Sequence, residues 1–210
     1  HALQATWDAR AALHLMASTK VTTTHIAATM LQMLLITNPE RANVGMSPLR
    51  LISCGGSALP LPFVSQAVDA FGVRFFTSYG MTECTGKISV SRLQPNMFTL
   101  PRDKQIALVS AQGTPFPGME VRVVRDDGRL AAQGEVGEVQ IRGPTGFKRC
   151  WHRPEATAEA FADGWFRTGD LGKLDSNGRL QVAGGAKVEC VLHHGRVVAR
   201  CLLRGGASAT

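Results

Sequence analysis

Val73-Arg74-Phe75-Phe76-Thr77-Ser78-Tyr79-Gly80-Met81-Thr82-Glu83 is the stretch whose reading decides the fold. Residues 73–77 have the β-branched and aromatic make-up of a short buried strand. Residues 78–83 break that pattern with a glycine and oxygen-bearing side chains, which predicts a loop at a strand end. Strand ends in α/β sheets are where loops aim groups into a ligand crevice. Tyr79, the one tyrosine of the chain, offers a ring on which a purine can stack. Gly80 allows backbone to approach a ligand, Thr82 can hydrogen-bond a phosphate oxygen, and Glu83 offers hard oxygen to Mg²⁺. Far downstream, Phe166-Arg167-Thr168-Gly169-Asp170 supplies a carboxylate, Asp170, able to accept both hydroxyls of a ribose diol. The two strings read together as opposite walls of a nucleotide site. Each also has a plainer reading. Thr82 can be a helix cap with Glu83 in the first turn, and residues 167–170 can be an ordinary loop between strands.

Working outward, the first hundred residues alternate helix and strand. Residues 8–18 are amphipathic, with Asp8 as the cap. Residues 21–25 read as a strand, 27–36 as a helix and 49–53 as a strand. Residues 61–71 read as a helix that follows Pro60, carries Pro62 in its first turn and ends at Gly72. This alternation predicts a parallel sheet. Beyond Arg102 the texture changes. Short alternating runs at 120–124 and 138–142 stand near Asp126-Asp127-Gly128 and Ser176-Asn177-Gly178, which are hairpin signals. A small β-rich unit is expected there, with one helical insertion near 155–161. No internal repeat is evident.

Composition narrows the classes. With 210 residues, 44% hydrophobic and 19% charged, the chain is globular rather than disordered. The net charge of +7 comes from 23 basic and 16 acidic residues. The basic residues are scattered singly without an aromatic-basic ladder, so no nucleic-acid partner is expected. The longest apolar stretch, 26–36, contains Thr29 and Gln32 and falls far short of the ~20 residues of a bilayer span. The chain opens on His1 without a signal peptide, which predicts an incomplete chain. Five cysteines (Cys54, Cys84, Cys150, Cys190, Cys201) are odd in number and widely spread. They argue for a reducing, cytoplasmic compartment rather than a disulfide framework. The spacing of Cys190, His193, His194 and Cys201 fits no standard zinc pattern. Cys84 reads as a small packing residue rather than a nucleophile.

Ser78-Tyr79-Gly80-Met81-Thr82-Glu83 resembles the core signature of the AMP-forming synthetase superfamily, which contains acyl-CoA synthetases, luciferases and peptide-synthetase adenylation domains. Other blocks match in the same order. Ile52-Ser53-Cys54-Gly55-Gly56-Ser57-Ala58-Leu59-Pro60 resembles the adenine-contacting turn. Gly113-Thr114-Pro115-Phe116-Pro117-Gly118 and Gly134-Glu135-Val136-Gly137-Glu138 resemble its β-rich part. Arg153-Pro154-Glu155-Ala156-Thr157 and Gly164-Trp165-Phe166-Arg167-Thr168-Gly169-Asp170 resemble the blocks that follow, the last of them ribose-binding. The resemblance spans residues 11–184. It implies an α/β fold in which part of a parallel-sheet layer (1–109, an incomplete core) precedes a small β-rich, distorted-barrel unit (110–184) that completes the nucleotide site.

The resemblance also implies roles. Gly55, Gly56, Ser57 and Ala58 with Ser78, Tyr79, Gly80 and Met81 serve the nucleotide, Thr82 and Glu83 the phosphates and Mg²⁺, and Asp170 the ribose. The implied activity is that of an acid–thiol ligase, which converts a carboxylic acid, fatty or aromatic, and ATP to an acyl-adenylate and then to an acyl-CoA. Met81, where peptide-synthetase domains carry proline, leans toward acyl-CoA synthetases. Three family features are not found. No Ser/Thr/Gly-rich phosphate loop precedes Leu13, and no lysine-bearing C-terminal domain follows. The hinge block reads Gly184-Gly185-Ala186-Lys187-Val188, without its arginine and aspartate. Residues 185–210 are expected to be a divergent, flexible tail, and the 210-residue chain is expected to lack turnover by itself. The alternative is a non-catalytic nucleotide-binding remnant.

Overall fold

Asp8 begins the layering: its carboxylate accepts the Ala11 N–H at 2.6 Å and caps α1 (Ala9–Ser18), as the sequence predicts. The computed structural model describes residues 1–37, 48–56, 59–71, 74–184, 191–193 and 196–198. The chain divides into a first unit of residues 1–80 and 89–114 and a second of residues 81–88 and 115–210.

In the first unit, threonine-rich β1 (Thr23–Ala27) passes straight into α2 (Ala28–Thr37). β2 (Leu51–Gly55) then leads to α3 (Leu61–Phe71) and β3 (Arg74–Met81). β1, β2 and β3 are parallel neighbours, with His25 opposite Ser53 and Cys54 opposite Thr77. The period-two alternation of a strand sends Ile26, Ile52, Cys54 and Phe75 to one face. There they are buried with Leu13 of α1, Leu31 and Leu34 of α2, and Val64 and Ala67 of α3. Val64, Ala67 and Phe71 recur at helical spacing, and Pro62 occupies a first turn that has no amide donor to lose. A helix that residue patterning had not signalled, α4 (Arg102–Ser110), adds Val109 to this core. Its end is tied to β3: Ser91 Oγ donates to Val109 O at 2.8 Å and accepts the Thr77 N–H at 2.7 Å.

Two local expectations are corrected. Residues 78–81 do not break the strand, because β3 continues through Ser78, Tyr79 and Gly80 to Met81. β3 pairs with β2 from Arg74 to Thr77 and neighbours β4 on its other side, and one glycine does not end it. Thr82 is not a cap; Met81 precedes a one-turn 3-10 helix, Thr82–Cys84, in which Glu83 does sit in the first turn. Beyond it, β4 (Gly86–Val90) and β5 (Thr114–Pro115) follow β3 in the sheet order β1-β2-β3-β4-β5.

The second unit is the expected β-rich one. β6 (Glu120–Val124), β7 (Gly137–Arg142), β9 (Trp165–Leu174) and β10 (Leu180–Gly184) pair antiparallel in the order β10-β9-β7-β6, and β8 (Phe161–Ala162) also pairs with β9. The predicted helical insertion is α5 (Pro154–Ala160). Ser176-Asn177-Gly178 lies in the β9–β10 turn, closed by Asp175 N–H to Arg179 O at 3.0 Å. Val139, Ile141, Phe166 and Leu180 are buried. The alternate β7 residues carry the polar face. Gln140 Oε1 accepts from Arg122, Glu120 pairs with Arg142, and both guanidinium groups stand 4.5 Å from the Trp165 ring centre. β11 (Val191–His193) and β12 (Arg196–Val198) pair with each other. The hinge-like residues 185–188 and Cys190, His194 and Cys201 lie outside the described residues.

Candidate functional site

Parallel pairing brings the carboxyl ends of β2 and β3 side by side in the first unit. Gly55 closes β2 and is buried. A Cβ built on it would stand 2.9 Å from Ser78 Oγ and 3.6 Å from the His25 ring, so only glycine leaves that space open. Gly56 follows at φ +90, a backbone state that suits glycine, with nothing within 4 Å of where its Cβ would be. Ser57 and Ala58 lie outside the described residues. Ser78 Oγ lies 3.4 Å from Cys54 O, Tyr79 is half-buried and Gly80 is exposed. Gly55, Gly56 and Ser78 therefore meet at one edge of the first unit.

The second unit holds the other residues to which the sequence reading points. Thr82 is exposed and Glu83 half-buried on the one-turn helix. That turn is anchored where Phe147 N–H donates to Glu83 O at 2.7 Å. The Phe147 ring packs edge-on to Phe166 at 5.0 Å between centres, and Phe166 lies four residues before Asp170 on β9. Cys84, next in the turn, is buried, and burial with the nearby Glu83 charge pushes its thiol up to about 11. Such a thiol packs and does not act as a nucleophile.

Asp170 does not lie in a loop between strands, as residues 167–170 read in isolation suggest. It is part of β9, in a β-bulge. The β7–β9 register runs Glu138 to Leu171 and then Gln140 to Arg167, so Thr168, Gly169 and Asp170 stand opposite the single residue Val139. Gly169 takes φ +73 within the bulge. Thr168 Oγ1 donates to Val139 O at 2.7 Å and accepts the Asp170 N–H at 3.1 Å. Bulges of this kind re-aim a side chain, and here the bulge holds Asp170 at 8% exposure. Thr168 is thus a supporting residue that sequence reading quoted without giving it a role. Its signal was the spacing, since a threonine two residues before a backbone N–H is placed for a local hydrogen bond.

The order of the blocks through β7 and the turn at Glu83 meet a matching family profile. Residues 2–151 match the family described as AMP-binding enzyme. The chain belongs to the AMP-binding enzymes. Feruloyl-CoA synthase from Amycolatopsis is 32% identical over 180 residues, 86% of this chain and 34% of that protein. Among solved structures, amide bond synthetase McbA from Marinactinospora thermotolerans superposes with a TM-score of 0.75 at 29% identity. The match covers 87% of this chain and 35% of that one. O-succinylbenzoate coenzyme A synthetase (MenE) from Bacillus subtilis, in complex with AMP, gives a TM-score of 0.67 at 31% identity, covering 85% of this chain and 34% of that one. This AMP-binding chain spans about a fifth to a third of the length of the curated relatives it matches. The α/β fold with a β-rich second unit is the fold of these adenylate-forming structures.

Proposed function

We propose that the chain is the nucleotide-handling part of an ATP-dependent acid–thiol ligase. In this reading the adenine rests against Tyr79 and the turn of Gly55, Gly56, Ser57 and Ala58, with Ser78, Gly80 and Met81 beside it. Asp170 accepts the ribose hydroxyls, Thr82 a phosphate oxygen, and Glu83 is the chain's oxygen donor to Mg²⁺. The observation that carries this reading is Asp170, a carboxylate held in a bulge by Thr168 in a chain of this family.

Glu83 suits magnesium, which is typically held by one or two carboxylates together with substrate phosphates. No group of three His, Cys, Asp or Glu side chains that could hold a metal alone occurs among the described residues. When bound, the ion neutralises phosphate charge. The substrate carboxylate oxygen attacks the α-phosphorus of ATP, pyrophosphate leaves, and the acyl-adenylate carbonyl becomes a good electrophile. The CoA thiolate then displaces AMP and forms the thioester. What this chain supplies is position: Asp170 fixes the ribose, and Thr82 orients the phosphate chain.

Several findings support the thiol as acceptor and leave the acid open. The similar proteins include a feruloyl-CoA synthase, an O-succinylbenzoate coenzyme A synthetase and a long-chain-fatty-acid–CoA ligase, and Met81 stands where acyl-CoA synthetases do not require proline. A reducing cytoplasmic setting agrees with Cys54, Cys84 and Cys150 as free thiols. No helix among the described residues is long and apolar enough to cross a membrane. A second reading is nucleotide binding without turnover. Pyrophosphate release from ATP and a panel of acids separates the two.

Calorimetry of AMP binding to the wild-type chain and to Asp170→Ala tests the site. Loss of charge-assisted bonds worth about 1.5–3 kcal/mol each is expected to weaken AMP at least tenfold. Equal affinities would remove Asp170 from the site.

A further inference from the structure

The bulge that carries Asp170 is tied in two ways, and the second tie uses side chains to which the nucleotide reading gives no part. Arg167 is the last β9 residue in register before the bulge, opposite Gln140, and Leu171 is the first after it, opposite Glu138. Arg167 Nε donates to Glu138 Oε2 at 3.0 Å. The pair therefore runs diagonally, from the β9 position before the bulge to the β7 residue that faces the position after it. It spans the stretch in which Thr168, Gly169 and Asp170 share the single partner Val139. Glu138 keeps 13% of its side chain exposed and Arg167 43%. Glu138 is itself anchored. Gln140 Nε2 donates to the same Glu138 Oε2 at 3.3 Å, and Gln140 Oε1 accepts from Arg122 Nε at 2.9 Å and Nη2 at 2.8 Å. Arg122 in turn stacks on Trp165, two residues before Arg167 on β9. The contacts thus leave β9 at Arg167, cross β7 to β6 and return to β9 at Trp165. Such a connected polar network rigidifies its members. Beyond the bulge, Gly137 faces Gly172, a pair with no side chains to link β7 and β9.

We propose that Arg167 and Glu138 are positioning residues for Asp170. Their ion pair straps the bulge from outside, while Thr168 ties it to the Val139 backbone, and the two ties together aim the carboxylate at the ribose hydroxyls. This rests on the ligase reading above, in which Asp170 accepts the ribose. The physical ground is slack. Three residues set against one leave the bulged strand locally unpaired, so its backbone can redistribute the extra length and turn the carboxylate with it. A carboxylate that accepts two hydroxyls at once depends on direction as well as distance. The strap fixes the two ends between which the slack lies. Its worth is bounded, because a pair with one half-exposed partner shifts an equilibrium by about fivefold. The ribose contact cannot lose more than the strap supplies.

Calorimetry on the 210-residue chain with AMP and with 2′,3′-dideoxy-AMP, which lacks both hydroxyls, reads the ribose contact by itself. The wild type is expected to prefer AMP. Arg167→Met keeps the aliphatic stem and Glu138→Gln keeps the shape. Each is expected to lower AMP affinity about fivefold and to leave the dideoxy nucleotide unchanged. The double variant should lose no more than either single one, Arg167→Lys should recover part of the loss, and thermal melts confirm that each variant folds. Amide exchange in the unliganded chain gives a readout free of nucleotide. The Asp170 N–H should exchange about fivefold faster in both single variants while the β9–β10 amides keep their rates. An equal loss on both nucleotides, a loss confined to Arg167→Met, or an undiminished AMP preference in both variants overturns the inference alone. Where the wild type shows no preference for AMP, the ribose reading falls and amide exchange decides the rest. Faster exchange at Asp170 in the variants then sustains the strap, and unchanged exchange overturns it as well.

Discussion

Thr168 and Asp170 are joined through one hydroxyl: Thr168 Oγ1 gives its proton to Val139 O at 2.7 Å and takes the Asp170 N–H at 3.1 Å. The same atom thus binds the bulge to β7 and sets the backbone that carries the carboxylate. Replacing Thr168 by valine keeps the shape and leaves a carbonyl and an N–H without these bonds. A loss of about 1–3 kcal/mol in urea unfolding is expected, together with weaker AMP binding. Thr168→Ser should recover most of both. Unchanged stability in Thr168→Val would show that the bulge is held by its neighbours instead.

Glu83→Gln separates the metal from the nucleotide. The change keeps size and the Phe147 N–H bond to Glu83 O, which is a backbone contact. On the proposed role, ATP affinity rises with added Mg²⁺ in the wild type and rises much less in the variant, while AMP affinity is unaltered. A charged contact of this kind is commonly worth about 2 kcal/mol, so the Mg²⁺-dependent gain should fall by roughly an order of magnitude. Calorimetry with and without Mg²⁺ reads it. An equal gain in both proteins would place the metal elsewhere.

Helix positions were legible where local chemistry sets them. Asp8 caps α1, Pro62 opens α3, and the apolar spacing of Val64, Ala67 and Phe71 marks its buried face. Strand ends were less so. Residues 78–81 look like a loop because Gly80 and polar side chains depress strand propensity, yet β3, flanked by β2 and β4, runs on to Met81. Tertiary pairing outweighs such local preferences. The motif makes Asp170 a candidate, but the bulge that holds it depends on a register with Val139, some thirty residues away, which no local pattern encodes. α4 escaped notice because its buried contribution is the single residue Val109, too little to make an apolar stripe.

Gly113 tests how closely the first unit is packed. It has φ +73, and a Cβ there would lie 1.9 Å from Val90 O and 2.4 Å from Ser91 Cα, both backbone atoms that cannot rotate aside. Gly128 has a similar φ of +81 with nothing within 4 Å. Gly128→Ala should therefore cost only the backbone strain of about 1–2 kcal/mol. Gly113→Ala adds the displacement of a strand and should cost about 3 kcal/mol or more. Chemical unfolding of the two variants compares them directly. Equal losses would mean that strain alone governs both sites.

The buried thiols give the chain a pH dependence whose sign can be worked out. Burial pushes Cys54 and Cys84 from 9.0 up to about 11 in the folded state. A thiol whose folded value lies above its unfolded value binds its proton more tightly when folded. The stability this confers is complete below the unfolded value and is lost as pH rises through the folded one. Unfolding free energy should accordingly decline between about pH 9 and about pH 11. The decline should be shallower in Cys54→Ala and Cys84→Ala, although each variant also loses packing at every pH. The slope is therefore the quantity to compare, because it cancels the constant packing loss. The same thiols should resist alkylation near pH 8 in the folded protein and react once urea unfolds it. Fast labelling of Cys54 or Cys84 in the native chain, or identical pH slopes in all three proteins, would contradict the burial that the structure assigns to them.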